Sequence, residues 1–371
     1  MLEPHIPEPR RPPQRSPLPD GPLYFLSEEA PLRRTLKRHS QKLWWLHTSY
    51  ALGLGVFVVL FAQKGFAHAR WLMASLGAVW LLLVLFFRFF GSGTHQQRFA
   101  TADSKARFRF LVMTYVMKNL YQGMLFFLLP FYWKSATLDA PNIGFVALLA
   151  VCAIVSTLDL VFDNILMRSK IVASVFYSVT LFSCMNLVLP ACVPQLRTIY
   201  SLMIAAAVTG VAFFLIHLPL SALRNKLYVL AMAAGVAAAV AGAWLARSLI
   251  PPVPMHLASG AVGHQTLEDG RLAMEVRSLH GSVIKELLAI TDVVVPGGKG
   301  DRLQHVWRQN GRRVHTYPEA SSRVEGPEGT VRLRSGLRGQ ELPEKLAGDW
   351  SVDVQTEDGQ LVGRVKFRVT E

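Results

Sequence analysis

Residues 348–371 read GDWSVDVQTEDGQLVGRVKFRVTE, and they decide whether the chain ends in a membrane or in a folded soluble domain. The Asp358-Gly359 pair fits a two-residue hairpin turn. Folding about it sets Trp350 opposite Phe367, Val352 opposite Val365 and Thr356 opposite Leu361. On the other face Asp353 meets Arg364 and Ser351 meets Lys366. One face is apolar and the other charge-matched, which is the pattern of a half-buried antiparallel pair.

Upstream, further short β-like segments occur at about 271–277, 283–295, 303–309, 312–317 and 330–335. With 350–356 and 360–369 they predict an all-β immunoglobulin-like sandwich domain over 271–371, entered through a linker at 251–270. In the 303–317 hairpin, Asn310-Gly311 predicts a type I′ turn, with Trp307 opposite Val314 and His305 opposite Thr316. His315 then faces away from His305, so the two do not form a metal pair.

Residues 43–250 have a different composition. Seven apolar stretches are long enough to span a bilayer: 43–62, 71–90, 110–133, 142–162, 171–192, 198–220 and 227–250. The chain is therefore predicted to be a polytopic α-helical membrane domain of about seven spans followed by the sandwich. Trp44, Trp45, Trp71, Trp133 and Trp244 lie near span ends, as an interfacial aromatic belt requires. The cysteines Cys152, Cys184 and Cys192 all fall in or beside these spans. That leaves no disulfide framework for the β domain.

Charge follows the same division. Of 39 Lys and Arg and 25 Asp and Glu, 16 of each lie from residue 251 onward, so the net +14 belongs to residues 1–250. The excess flanks hydrophobic spans, which excludes a nucleic-acid binder and points to the lipid bilayer as partner. The alternate connections carrying Arg33, Arg34, Lys37, Arg38 and Lys42, then Arg98, Lys105, Arg107 and Arg109, then Arg168 and Lys170, then Arg224 and Lys226, are the basic side. The opposite side carries Lys64, Arg70, Lys134, Arg197 and Arg247. By the positive-inside rule the N-terminus is cytoplasmic, and seven spans deliver the sandwich to the other side. Residues 1–42 form a Pro/Arg-rich cytoplasmic tail, expected to be disordered.

Polar residues within spans are functional candidates. In the third span Lys118 and Gln122 share a face with Tyr115, and Asn119 lies beside them; Asp159 near the end of the fourth is within reach of Lys118. These four make a candidate intramembrane polar site for a transporter or membrane-embedded enzyme, weighed against a structural pair with a snorkelling lysine. No catalytic or cofactor-binding signature is present, so no cofactor or metal is expected and the sequence points away from an enzyme. VPGGKGD at 295–301 lacks the spacing of a phosphate loop and reads as a turn. The basic residues of VRLRSGLRGQ read as a solvated edge strand or a grip on an anionic ligand.

LQHVWRQNGRRV (303–314), VRLRSGLR (331–338) and AGDWSVDVQTEDGQLVGRVKFRV (347–369) together resemble the C-terminal module of a bacterial membrane-protein family, domain of unknown function family 2914. MLFFLLPFYWKSAT and STLDLVFDN are similar to the multi-span region often fused to it. The central element departs from the family's aromatic-flanked form, with Leu333 and Gly336 in the flanks. The resemblance implies a Gram-negative inner-membrane protein with a periplasmic sandwich, and it supplies no activity. His305, Trp307, Arg334 and Ser335 occupy motif positions and are the candidate partner-binding residues. The expected partner is an envelope protein or glycan.

Overall fold

The computed structural model of the protein describes residues 104–158, 169–265, 276–318 apart from 298, and 329–371, with a few isolated positions elsewhere. Among the described residues five α-helices come first: α1 (Ser104–Lys134), α2 (Ile143–Thr157), α3 (Lys170–Cys192), α4 (Thr198–His217) and α5 (Lys226–Leu245). On α1, Tyr121, Leu125, Leu128 and Tyr132 are buried at spacings of four, three and four, and on α3 Tyr177, Leu181, Cys184 and Val188 repeat that spacing. Such stripes let helices pack along their length. The two meet with Leu149 and Cys152 of α2 in one apolar cluster, and Tyr121 lies edge-on to Phe176 with ring centroids 5.1 Å apart.

Among the described residues three helices, not seven, are long and apolar enough to cross a membrane: Ile171–Cys192, Thr198–His217 and Lys226–Leu245. Helix α1 has the length but carries basic and amide side chains, and α2 has 15 residues. Helix α2 is shorter than its apolar stretch because Ser156 and Thr157 bond back to the carbonyls of Ala153 and Ile154 and Leu158 turns extended. The expected spans at 43–62 and 71–90, and the expected tail at 1–42, lie outside the described residues. Helix α5 buries only Ala243, leaving a surface of Leu, Val and Ala that suits lipid.

The C-terminal region is all-β, with two sheets. Strands β1 (His256–Gly263), β3 (Glu286–Val294) and β6 (Thr330–Arg338) form one, in the order β1-β3-β6. Strands β2 (Ser278–His280), β4 (Leu303–Gln309), β5 (Arg312–Tyr317), β7 (Gly348–Thr356) and β8 (Leu361–Thr370) form the other, in the order β2-β8-β7-β4-β5. Strand β2 runs parallel to β8, and the other pairings are antiparallel. Val262, Leu287, Ala289 and Leu337 from the first sheet meet Trp307, Trp350, Val352 and Phe367 from the second in one core. Trp350 stacks on Phe367 and Trp307 meets the same ring edge-on.

Three expectations need correction. The stretch 251–270 is more than a linker, because β1 lies in it and pairs with β3. Its Gly and Ala content hid a strand whose partner is thirty residues away. Within the first hairpin, Asn310 and Gly311 adopt the positive φ of the expected turn, and Arg308 and Gln309 pair with Arg313 and Arg312. An irregularity beyond them then places Trp307 opposite His315 and His305 opposite Tyr317, because β5 carries one extra residue, Val314, which packs against the core. In the closing hairpin Trp350, Val352, Asp353 and Ser351 have the expected partners, but a shift after Val354 sets Leu361 opposite Gln355 instead of Thr356.

Candidate functional site: the buried histidine and the seam

The candidate residues of the β domain separate into an inner and an outer group. His305 and Trp307 have no exposed surface, and Ser335 is buried. The His305 ring lies 2.8 Å from Thr291 Oγ1 through Nε2 and 2.7 Å from Ser335 Oγ through Nδ1, and Trp307 Nε1 donates to the same Ser335 Oγ at 2.9 Å. Thr291 and Ser335 come from the first sheet, His305 and Trp307 from the second, so the network ties the sheets together. A neutral imidazole suits it, with one nitrogen donating and the other accepting. Burial pushes His305 down to about 4. Three residues that read as partner contacts are therefore core groups, closed to any partner while the sheets stay together. Arg334 points the other way and is exposed, between exposed Arg332 and Arg338 on the outer face of β6. Asp292 holds Arg332 at 2.7 Å, and Glu286 holds Arg338.

In the helical region the structure does not test the expected polar pair, because Asp159 and the side chain of Lys118 lie outside the described residues. Asn119 and Gln122 are half-buried on α1. The polar groups seen between α1 and α3 make structural bonds. Tyr132 donates to the Ser183 carbonyl and accepts from Asn186, while Thr180 and Ser183 bond within their own helix.

A second polar cluster joins the sandwich to one end of the helical region, and its residues are not among the site candidates that the sequence offers. The tip of the β7–β8 hairpin enters among the helix connections. Asn142, before α2, donates to the Leu361 carbonyl at 3.0 Å. Arg197, before α4, pairs with Asp358 at 2.6 Å and with Glu357. Thr198 Oγ1 donates to Gln360 at 2.6 Å, and Arg247, after α5, donates to the Asp358 carbonyl at 2.6 Å. Farther along β8, Arg364 reaches the carbonyl and Lys366 the carboxylate of Asp139. The tip of the hairpin is thus enclosed, and Asp353 on its polar face is buried between Arg308 and Arg364, while Asp349, Lys366 and Arg368 of that face stay exposed.

The loop VPGGKGD supplies the second half of the seam. Lys299 N donates to the Pro194 carbonyl at 2.7 Å, and Asp301 Oδ2 accepts the Thr198 N–H at 2.8 Å. Asp301 thereby caps α4, whose own N-cap residue Arg197 offers no acceptor. Glycine is needed because the backbones nearly touch. A Cβ on Gly297 would lie 2.6 Å from the Pro190 carbonyl oxygen, and one on Gly300 would collide with that of Gln195. Gly300→Ala is expected to weaken docking by about 1–3 kcal/mol, the usual range for overpacking. Faster proteolysis or hydrogen exchange at 194–201 in the full-length protein would register it, and unaltered protection there would refute the contact. The signal in the sequence was three glycines around a lysine, followed by an aspartate, in a turn without the spacing of a phosphate loop.

The helices and the docked sheets define a membrane protein with an all-β domain. The chain belongs to the family described as Family of unknown function (DUF5924), whose model matches residues 28–284. Residues 300–369 match a second, Protein of unknown function (DUF2914), the module that the hairpin motifs resemble. No curated protein matches the chain. Strands β1 and β2 fall in the first match, β3 in neither, and β4–β8 in the second, so the family boundary runs through the middle of the sandwich.

Proposed function

We propose that the protein is a bacterial inner-membrane protein of about seven spans that holds an immunoglobulin-like sandwich at a fixed orientation on the periplasmic side, for binding an envelope protein or glycan. The observation that carries this reading is the seam. The α1–α2 and α3–α4 connections and the end of α5 all bond to the sandwich. They are the connections with fewer cations, Lys134, Arg197 and Arg247, while Lys105, Arg107, Arg109, Lys170, Arg224 and Lys226 lie at the opposite helix ends. That distribution favours a periplasmic sandwich. The sheet orders match the A-B-E and A′-G-F-C-C′ arrangement of immunoglobulin-like domains. Docking covers the tip of the β7–β8 hairpin and leaves Arg334, opposite half-buried Ile290 on the outer face of β3 and β6, exposed.

A photo-crosslinking residue at position 334 in intact cells tests the reading, with the same residue at 305 as the buried control. An envelope protein or glycan captured from 334 and not from 305 is expected. Equal capture from both, or activity of a cytoplasm-only reporter fused after Glu371, would overturn it. The transporter or membrane-enzyme alternative predicts instead that Lys118 and Asp159 are indispensable while the sandwich can be exchanged.

A further inference from the structure

One carboxyl group in the seam differs from its neighbours. Asp301 enters beside Arg197 and uses Oδ2 to cap α4, while its Oδ1 is buried with no hydrogen-bond partner among the described residues. Three carboxylates, Asp301, Glu357 and Asp358, converge there on the guanidinium of Arg197, whose ion pairs go to Glu357 and Asp358. Arg247 gives its Nε to the Asp358 backbone carbonyl and lays its guanidinium over Trp244. Lys299 and Arg302, which flank Asp301 in sequence, are exposed. The charged groups facing Asp301 are thus Arg197, which favours its ionised form, and Asp358, which opposes it. The ion pairs of Arg197 are taken by Asp358 and the exposed Glu357, and a carboxylate with one oxygen buried and unbonded in such a place favours its protonated form.

We infer that the seam is a proton-controlled latch: docking of the sandwich onto the helix ends takes up a proton at Asp301, so acid tightens the docked state and alkali loosens it. Burial is the largest influence and raises the Asp301 carboxyl to about 6 from its ordinary 3.8; the bonds from Thr198 and the charge of Arg197 act against it. The docked state therefore binds the proton more tightly than the undocked state. The proton-linked stabilisation is fully present below about 4 and is lost as pH rises through about 6. The latch operates whichever side of the membrane the sandwich faces. Other bonds across the seam, such as Asn142 to Leu361, do not involve Asp301, so loosening stops short of release.

Hydrogen exchange of the full chain in lipid nanodiscs between pH 5 and pH 8, corrected for intrinsic exchange, tests this in peptides covering 194–201 and 357–361. Seam opening should increase up to roughly tenfold from pH 5 to pH 7.5, because only about one unit of the two-unit window, from pH 5 to about 6, lies in that interval. Asp301→Asn keeps the capping oxygen and should stay protected across the range. Peptides from β3 and β4 report unfolding of the sandwich itself and separate it from undocking. A wild-type seam that opens equally at every pH, or an Asp301→Asn protein with the wild-type response, would overturn the latch.

Discussion

A fragment cut to residues 300–371, the extent suggested by the second family match, is expected to be unfolded, whereas one starting at residue 255 retains every strand of the sandwich. The shorter fragment lacks β1, β2 and β3. Among the described residues strand β6 pairs only with β3, residue for residue from Thr330 to Arg338, so that ladder would be lost. The deletion also removes Met255, Val262, Leu279, Ile284, Leu287, Ala289, Val293 and Val295 from the two core clusters. At roughly 1.5–3 kcal/mol for each of the larger side chains, the loss exceeds 10 kcal/mol. A domain of this size has a net stability of about 5–15 kcal/mol. Trp307, Trp350 and Phe367 would face water across a missing sheet. Circular dichroism and amide NMR dispersion decide the matter. Cooperative melting of 300–371 would show that β4–β8 are self-sufficient.

Acid is expected to destabilise the sandwich through His305. The ring is neutral in the core at about 4 and titrates near 6.5 when the chain unfolds. Between those values the unfolded chain binds the extra proton, so stability is present above 6.5 and is lost as pH falls toward 4. The total is about 3 kcal/mol, at 1.36 kcal/mol per pKa unit. Replacing the ring by an uncharged amide, His305→Gln, should lower stability near neutral pH by about 1–3 kcal/mol, since the bonds to Thr291 and Ser335 are disturbed. It should also remove that share of the acid dependence. Tryptophan fluorescence during thermal unfolding follows it through Trp307 and Trp350, both in the core. Parallel acid profiles for wild type and His305→Gln would mean that His305 does not carry the effect. The sign is opposite to that of Asp301, because one group is buried neutral as a base and the other as an acid.

Much of the β domain was legible because its signals are local. Asp358-Gly359 and Asn310-Gly311 fixed two turns, and period-two alternation selected Trp350, Val352 and Phe367 for the core. The same logic failed where a residue was inserted, since Val314 and the shift after Val354 leave no mark in alternation until the partner strand is known. Polar character misled at His305, Trp307 and Ser335. Residue type alone does not distinguish a polar group exposed to a ligand from one whose hydrogen bonds are completed inside the core. The candidate functional seam was scarcely legible: its members come from positions 139–142, 194–198, 247, 297–301 and 357–366, and no periodicity links them.

By itself the sequence determined the division of the chain, an apolar basic half and a neutral β half, because composition and period depend on near neighbours. It also determined which face of the closing hairpin is apolar. The tertiary structure alone decided that the tip of this hairpin docks among the helix connections, that a glycine-rich turn is a docking loop, and that Asp301 caps a helix a hundred residues away. These are contacts between segments distant in sequence. Their energies depend on burial and on the partner's position, and neither exists until the chain has folded.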